Sequence, residues 1–184
     1  MPKILKLTYH QIDFTKYDNC IDVALNSRIE AYSWYLDIVT NKNWAVLVLN
    51  DYQAVLPLPL LRVKRRFLKK MITQPIFCQQ LGLFYKDISE NEIRLFVDAF
   101  KKESIFQYHF NAQNFFVNHY FTDIIHQKNN YILAINKGYD YLSKNYKKGL
   151  KNNLKKAQKA KLIIKKNPSF IDFKDLPSQE LTFK

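Results

Sequence analysis

With 184 residues, 47% of them apolar and 15% aromatic, the chain is long and hydrophobic enough to build a folded core, which excludes disorder for most of it. Its formal net charge of +13 is local: residues 62–70 hold six Lys or Arg and no acid, and residues 137–166 hold 11 Lys against Asp140 alone. Two patches prepared for anions on a slightly acidic body differ from a generally cationic surface, and no run of about 18 apolar residues or secretory leader accompanies them, so a cytoplasmic location is expected.

The elements follow in order. Residues 3–8 alternate as a first strand, and two helices come next. Ser27 with Glu30 has the spacing of a capping box, in which serine and glutamate each satisfy a free backbone N–H. The helix it would open puts Tyr32, Tyr35, Leu36 and Val39 on one core-facing stripe. The continuous apolar run Trp44 to Leu49 reads as a buried strand. Asn50-Asp51 turns the chain into a partner, Ala54 to Leu61, whose Pro57 and Pro59 cannot donate to a ladder and are expected on an outward edge or beside a bulge.

Beyond the basic stretch, short strands are expected at about 71–73 and 80–85, with a turn around Pro75. Ser89 and Glu92 form a second capping box, opening a helix with Ile93, Phe96, Val97 and Phe100 on one face. Strands are read at about 104–110, 120–126 and 130–135, the last two joined by a hairpin at Lys128-Asn129-Asn130. Leu142, Tyr146, Leu150, Leu154 and Ala157 recur in steps of four, which drift around one helix; two short helices meeting near Lys147 to Gly149 fit better. A strand at Leu162 to Lys165 and an element from Leu176 complete the reading. The sum is an α/β fold with a mixed, largely antiparallel sheet over residues 1–136, followed by a basic helical connection and the opening of a second domain over 137–184.

Chemistry is sparse. Glycines stand only at 82, 138 and 149, which rules out glycine-rich phosphate loops. The four histidines lack metal-ligand spacing, so no metal is expected. Cys20 and Cys78, far apart amid apolar neighbours, read as reduced core thiols. The set Gln74-Pro75-Ile76-Phe77-Cys78-Gln79-Gln80-Leu81-Gly82 is unusually polar for a strand region; its amides could orient a ligand in a groove or satisfy turn and edge-strand groups. Asn111, Gln113 and Asn114 allow the same two readings. The lysine helix is a solvated face, a nucleic-acid surface, or an anion clamp using Lys148 and Lys151 near a helix start. Its lack of arginine and interleaved aromatics argues against base readout.

Four segments in order carry a resemblance: Glu30-Ala-Tyr-Ser-Trp34-Tyr35-Leu-Asp37, Leu56-Pro-Leu-Pro59, Gln74-Pro-Ile-Phe-Cys-Gln79-Gln80-Leu-Gly-Leu-Phe84 and Tyr146-Lys-Lys-Gly-Leu-Lys-Asn-Asn-Leu-Lys-Lys-Ala157. Together they resemble the amino-terminal half of GNAT-like acyltransferases of the FemAB type, which have two tandem GNAT-like domains. In that family a helix patterned Ser/Lys-x-x-Arg-Asn-Ile-x-Lys-Ala-x-Lys leads into the second domain, and Lys148, Lys151, Asn153, Leu154, Lys156, Ala157 and Lys159 match it. Asn152 departs, standing where arginine is common, and the Q/R-x-x-G-x-G/A loop that would bind coenzyme A pyrophosphate is missing.

The resemblance therefore implies a GNAT-like non-donor half that opens a truncated second domain. It also implies a groove lined by Trp34, Tyr35, Gln79, Gln80, Lys148, Lys151 and Asn153. The acceptor would be a small-molecule or peptide amine, the anionic donor an acyl-CoA or aminoacyl-tRNA held by a complete protein, with no cofactor bound by this portion and no turnover by it alone. A hydrophobic edge left without its second domain would favour self-association. The competing expectation is a non-enzymatic basic module that binds nucleic acid or an acidic membrane surface through 62–70 and 137–166.

Overall fold

The structure, a computed structural model, describes residues 2–63, 69–122 and 125–160. The expected strand at 162–165, the element from Leu176 and positions 64–68 of the first basic stretch lie outside the described residues. The chain forms two compact units, Met1–Gln127 and Lys128–Lys184.

The first unit is an α/β fold built on a mixed, mostly antiparallel sheet flanked by helices. Its strands are β1 (Ile4–Thr8), β2 (Trp44–Leu49), β3 (Ala54–Val63), β4 (Lys69–Thr73), β5 (Phe84–Tyr85) and β6 (Ile105–Gln107). They run in the order β1-β2-β3-β4-β6, with β5 also paired to β3, and only β4 and β6 are parallel. The helices are α1 (Phe14–Val23), α2 (Ser33–Thr40), α3 (Glu90–Lys101) and the single turn α4 (Val117–Tyr120).

The reason for the unbroken apolar run in β2 is its burial on both faces. Trp44, Val46 and Val48 enter one core with Tyr17 and Ile21 of α1 and Leu36 of α2. Ala45, Leu47 and Leu49 enter another with Phe96, Val97 and Phe100 of α3. The stripe expected on α3 is thus the face that covers the sheet, and the Ser89–Glu92 box opens this helix: Ser89 Oγ accepts from Glu92 N at 3.4 Å while Glu92 Oε2 accepts from Ser89 N at 2.8 Å.

The first box does not form. Residues Ile29–Ala31 make a 3-10 turn, and the helix begins at Ser33, whose N–H and hydroxyl both donate to Asp18 of α1, at 2.8 and 2.6 Å. A carboxylate from another element has taken the capping role, moving the helix start along the chain. The stripe survives, with Leu36 buried and Tyr32, Tyr35 and Val39 packed beside it.

Pro57 and Pro59 lie in the middle of the sheet. Leu60 N donates to Asn43 O on the β2 side, so the alternate nitrogens of Pro57 and Pro59 face the other way. There the partner changes, β5 pairing Ala54 and Val55 and β4 pairing Leu60 to Val63. The Tyr108 hydroxyl fills the gap, donating to Pro57 O at 2.9 Å and accepting from Gly82 N at 3.1 Å.

The second expected strand of the 71–85 region is mostly irregular. Only Phe84–Tyr85 pairs as a strand, and Leu81 makes an isolated parallel bridge to Phe110. Asparagine amides replace the ladder: Asn111 Nδ2 donates to Leu81 O at 3.0 Å, Asn114 accepts from Leu83 N at 2.9 Å and donates to Leu83 O at 3.0 Å, and Asn26 Nδ2 also reaches Leu83 O at 2.9 Å. Asn111 and Asn114 are buried, and this backbone satisfaction is their role.

The expected strands at 120–126 and 130–135 and their hairpin are not found among the described residues: 117–120 is α4, and 125–135 carries no ladder. Tyr131, Ile132, Leu133 and Ile135 form an apolar run, but they are exposed and pair with no strand among the described residues. The second unit contains α5 (Tyr139–Lys144) and α6 (Lys148–Lys159). The break between them falls where the drift of the apolar steps placed it. Gly149 therefore sits in the first turn of α6 instead of the middle of a long rod, where its flexibility costs less.

Candidate functional site

The site grows out of the turn after β4. Gln74 anchors it three ways: its N–H donates to Gln107 O at 3.0 Å, its Nε2 donates to Cys78 O at 2.8 Å, and its Oε1 accepts from His109 N at 3.2 Å. Cys78 N closes the turn on Pro75 O at 3.2 Å. Within it Phe77 has a φ of 68°, a left-handed conformation uncommon for a bulky side chain, and leaves 85% of its surface exposed. The Tyr35 hydroxyl of α2 donates to the Phe77 carbonyl and holds this turn against the helix.

Beside the turn opens a cleft of about 550 Å³, lined by Glu30, residues 74–79, Gln107 and His109. The His109 ring is fixed on both sides, Nδ1 lying 3.3 Å from Gln79 O and Nε2 lying 2.6 Å from Gln107 Nε2. A carbonyl can only accept, so this arrangement places the proton on Nδ1 and leaves Nε2 to accept from the glutamine amide. Glu30 is half-buried and is the one carboxylate among the lining residues.

Cys78 also lines the cleft, yet its thiol is a poor nucleophile. Burial, reinforced by the Glu30 charge, pushes it up to about 12, and burial pushes Cys20 up to about 11. Both are free thiols, as expected from their apolar surroundings. Alkylation by iodoacetamide at pH 8 should be on the order of 100-fold slower in the folded protein than for an unhindered cysteine, and should reach the ordinary rate in urea. Fast modification of either residue under native conditions would contradict the buried environment.

The residues singled out in the sequence are distributed unevenly around this cleft. Gln79 lines it. Tyr35 grips its turn, and the Trp34 ring packs edge-on against Tyr35 with centroids 5.6 Å apart while half of Trp34 stays exposed. Gln80 is not a lining residue; its Oε1 is buried without a hydrogen-bond partner among the described residues. Lys148, Lys151 and Asn153 belong to the second unit, all exposed on α6, and Lys151 Nζ donates to Lys144 O at 2.8 Å, covering the carboxyl end of α5. Sequence reasoning missed Glu30, assigned there to a cap, along with Gln107 and His109. Their one signal was a strand ending in polar residues next to Asn111.

Among the described residues no group of three or more His, Cys, Asp or Glu is placed to hold a metal ion, and no helix is long and apolar enough to cross a membrane. The paired amides, the carboxylate and the aromatic rim suit binding of a polar ligand more than covalent catalysis. Comparison with protein families, characterised proteins and solved structures finds no match.

Proposed function

We propose that this chain is the amino-terminal half of a GNAT-like N-acyltransferase of the FemAB type, which receives an amine acceptor in the cleft of its first unit and uses α6 lysines to contact an anionic donor. One observation carries the reading. Two of the short segments that prompted the resemblance, Glu30–Asp37 and Gln74–Phe84, are far apart in sequence yet meet at one cleft, through Glu30 on its wall and Tyr35 bonded to Phe77 O. The donor's pyrophosphate would be held outside this chain, which contains no glycine-rich loop, so acyl or aminoacyl transfer to the amine requires the complementary half.

A second reading, a basic surface-binding module, is favoured by α6 alone. Leu150 and Leu154 are 45% and 39% exposed, follow the i, i+4 spacing with Ala157 next, and are surrounded by Lys148, Lys151, Lys155, Lys156 and Lys159. Exposed leucines among lysines suit an anionic membrane surface better than nucleic acid.

Binding of the full chain to acetyl-CoA, aminoacyl-tRNA, duplex DNA and vesicles containing anionic lipid separates the two. The acyltransferase reading expects one donor to bind more tightly than the duplex, and Lys148→Ala with Lys151→Ala to weaken it several-fold. Binding to the anionic vesicles tighter than to either donor, or equal binding of the tRNA and any duplex that falls on the order of 10²–10³-fold between 50 and 200 mM salt, would overturn it in favour of the basic module.

A further inference from the structure

The cleft in the first unit is chemically selective in a direction opposite to the whole chain. The protein carries 29 Lys and Arg, yet none of the described ones lines this cleft. The one carboxylate among its described lining residues is Glu30, which makes no hydrogen bond or ion pair with a described residue. Burial raises both the Tyr35 hydroxyl and the Cys78 thiol above their usual ranges, and the nearby Glu30 carboxylate adds a smaller push in the same direction.

Aromatic surface completes the arrangement. Phe77 is held out in solvent by a left-handed backbone that a glycine would adopt without strain, and the neighbouring Ile76 is 80% exposed. Backbone strain that places an aromatic side chain in water has no packing benefit, and such strain gathers at ligand-binding positions. A half-buried carboxylate lining the same cleft as an exposed ring is a combination that recognises an organic cation: the carboxylate accepts charge-assisted N–H bonds, and the ring face attracts the remaining positive surface.

We propose that the cleft is a binding site for a primary ammonium group, with Glu30 as its ion-pair partner and Phe77 as its aromatic wall. Anions and neutral alcohols of the same shape bind less well, because no described lysine or arginine lines the cleft to receive the first, and the second offers the carboxylate one neutral O–H in place of charge-assisted N–H bonds. The Gln107 amide oxygen supplies an acceptor for N–H groups that Glu30 leaves over, its Nε2 being engaged by His109. The inference rests on the acyltransferase reading only for casting this ammonium as the acceptor amine; the cation site itself follows from the cleft.

The test is an NMR titration of the full chain with propylammonium, propanol and butyrate, read at the Trp34 indole N–H and the Gln79 amides. Propylammonium should produce saturable shifts and the other two none. Glu30→Gln, which preserves size, should weaken propylammonium roughly fivefold, and Phe77→Ala should weaken it by a similar factor. An unchanged remainder of the Glu30→Gln spectrum establishes that the variant is folded; should it be perturbed, the wild-type comparison of propylammonium with propanol still decides. Equal shifts with propanol, or Glu30→Gln affinity equal to wild type, would overturn the site. If ammonium binds through Glu30 but the chain binds tRNA and any duplex alike with a steep salt dependence, the cation site stands and the acyltransferase reading fails.

Discussion

Gly82→Ala should destabilise the protein by about 3–5 kcal/mol, from backbone strain added to broken buried hydrogen bonds. Gly82 has a φ of +140°, which an L side chain rarely adopts, and an added Cβ would lie 1.9 Å from Asn114 Oδ1 and 2.8 Å from Asn111 Nδ2. Neither amide can retreat freely. Asn114 holds both the N–H and the carbonyl of Leu83, and Asn111 holds the Leu81 carbonyl. Displacing them would leave buried backbone groups unpaired in a segment that has no ladder to fall back on. Urea unfolding followed by circular dichroism measures the loss. Gly149→Ala is the contrasting variant: nothing lies within 4 Å of its added Cβ, so it should be neutral or strengthen α6 by up to about 1 kcal/mol. A Gly82→Ala protein within about 0.5 kcal/mol of wild type would show that the asparagine clamp is pliant.

Trp44→Ala should cost a similar amount, about 3–5 kcal/mol, by opening a cavity that the surrounding side chains cannot close. The indole is buried where β2 meets α1 and α2, with its ring centroid 5.1 Å from Tyr17 and 6.1 Å from both Tyr9 and Phe14. Its Nε1 donates to Asp37 Oδ1 at 2.8 Å, and the Tyr9 hydroxyl donates to the other carboxylate oxygen at 2.9 Å. Trp44→Phe keeps much of the ring packing but removes one donor from Asp37, so its cost should be intermediate. The same unfolding experiment ranks the three proteins. Equal stability of the Phe variant and wild type would mean that the Trp44–Asp37 bond contributes nothing net.

The elements legible in the sequence are those whose pattern is local and whose partner is a whole surface. Trp44 to Leu49 could be recognised because burial on both sides leaves no polar position, and α3 because Ile93, Phe96, Val97 and Phe100 repeat at the helical period behind a cap. Two identical box spacings had different outcomes for a tertiary reason: Ser89 faces no competitor, whereas Asp18, brought in by α1, binds Ser33 and moves the start of α2 past Ser27 and Glu30. The strand expected at 130–135 misled because a short apolar run such as Tyr131 to Ile135 does not order a strand by itself, and ordering one requires a partner edge.

What this chain determines by itself is the material of the fold: a doubly buried strand, a covering helix, paired short helices in the basic segment and the glycine that an irregular turn needs. Tertiary structure alone decided where the polar residues work. Glu30, Tyr35, Phe77 and His109 converge on one cleft, and Asn26, Asn111 and Asn114 on one stretch of backbone, across separations that no periodicity encodes. Apolar periodicity is written along the chain because any neighbouring apolar surface satisfies it. A hydrogen bond or an unpaired carboxylate depends on which particular atom arrives opposite, and that is settled only when the elements pack.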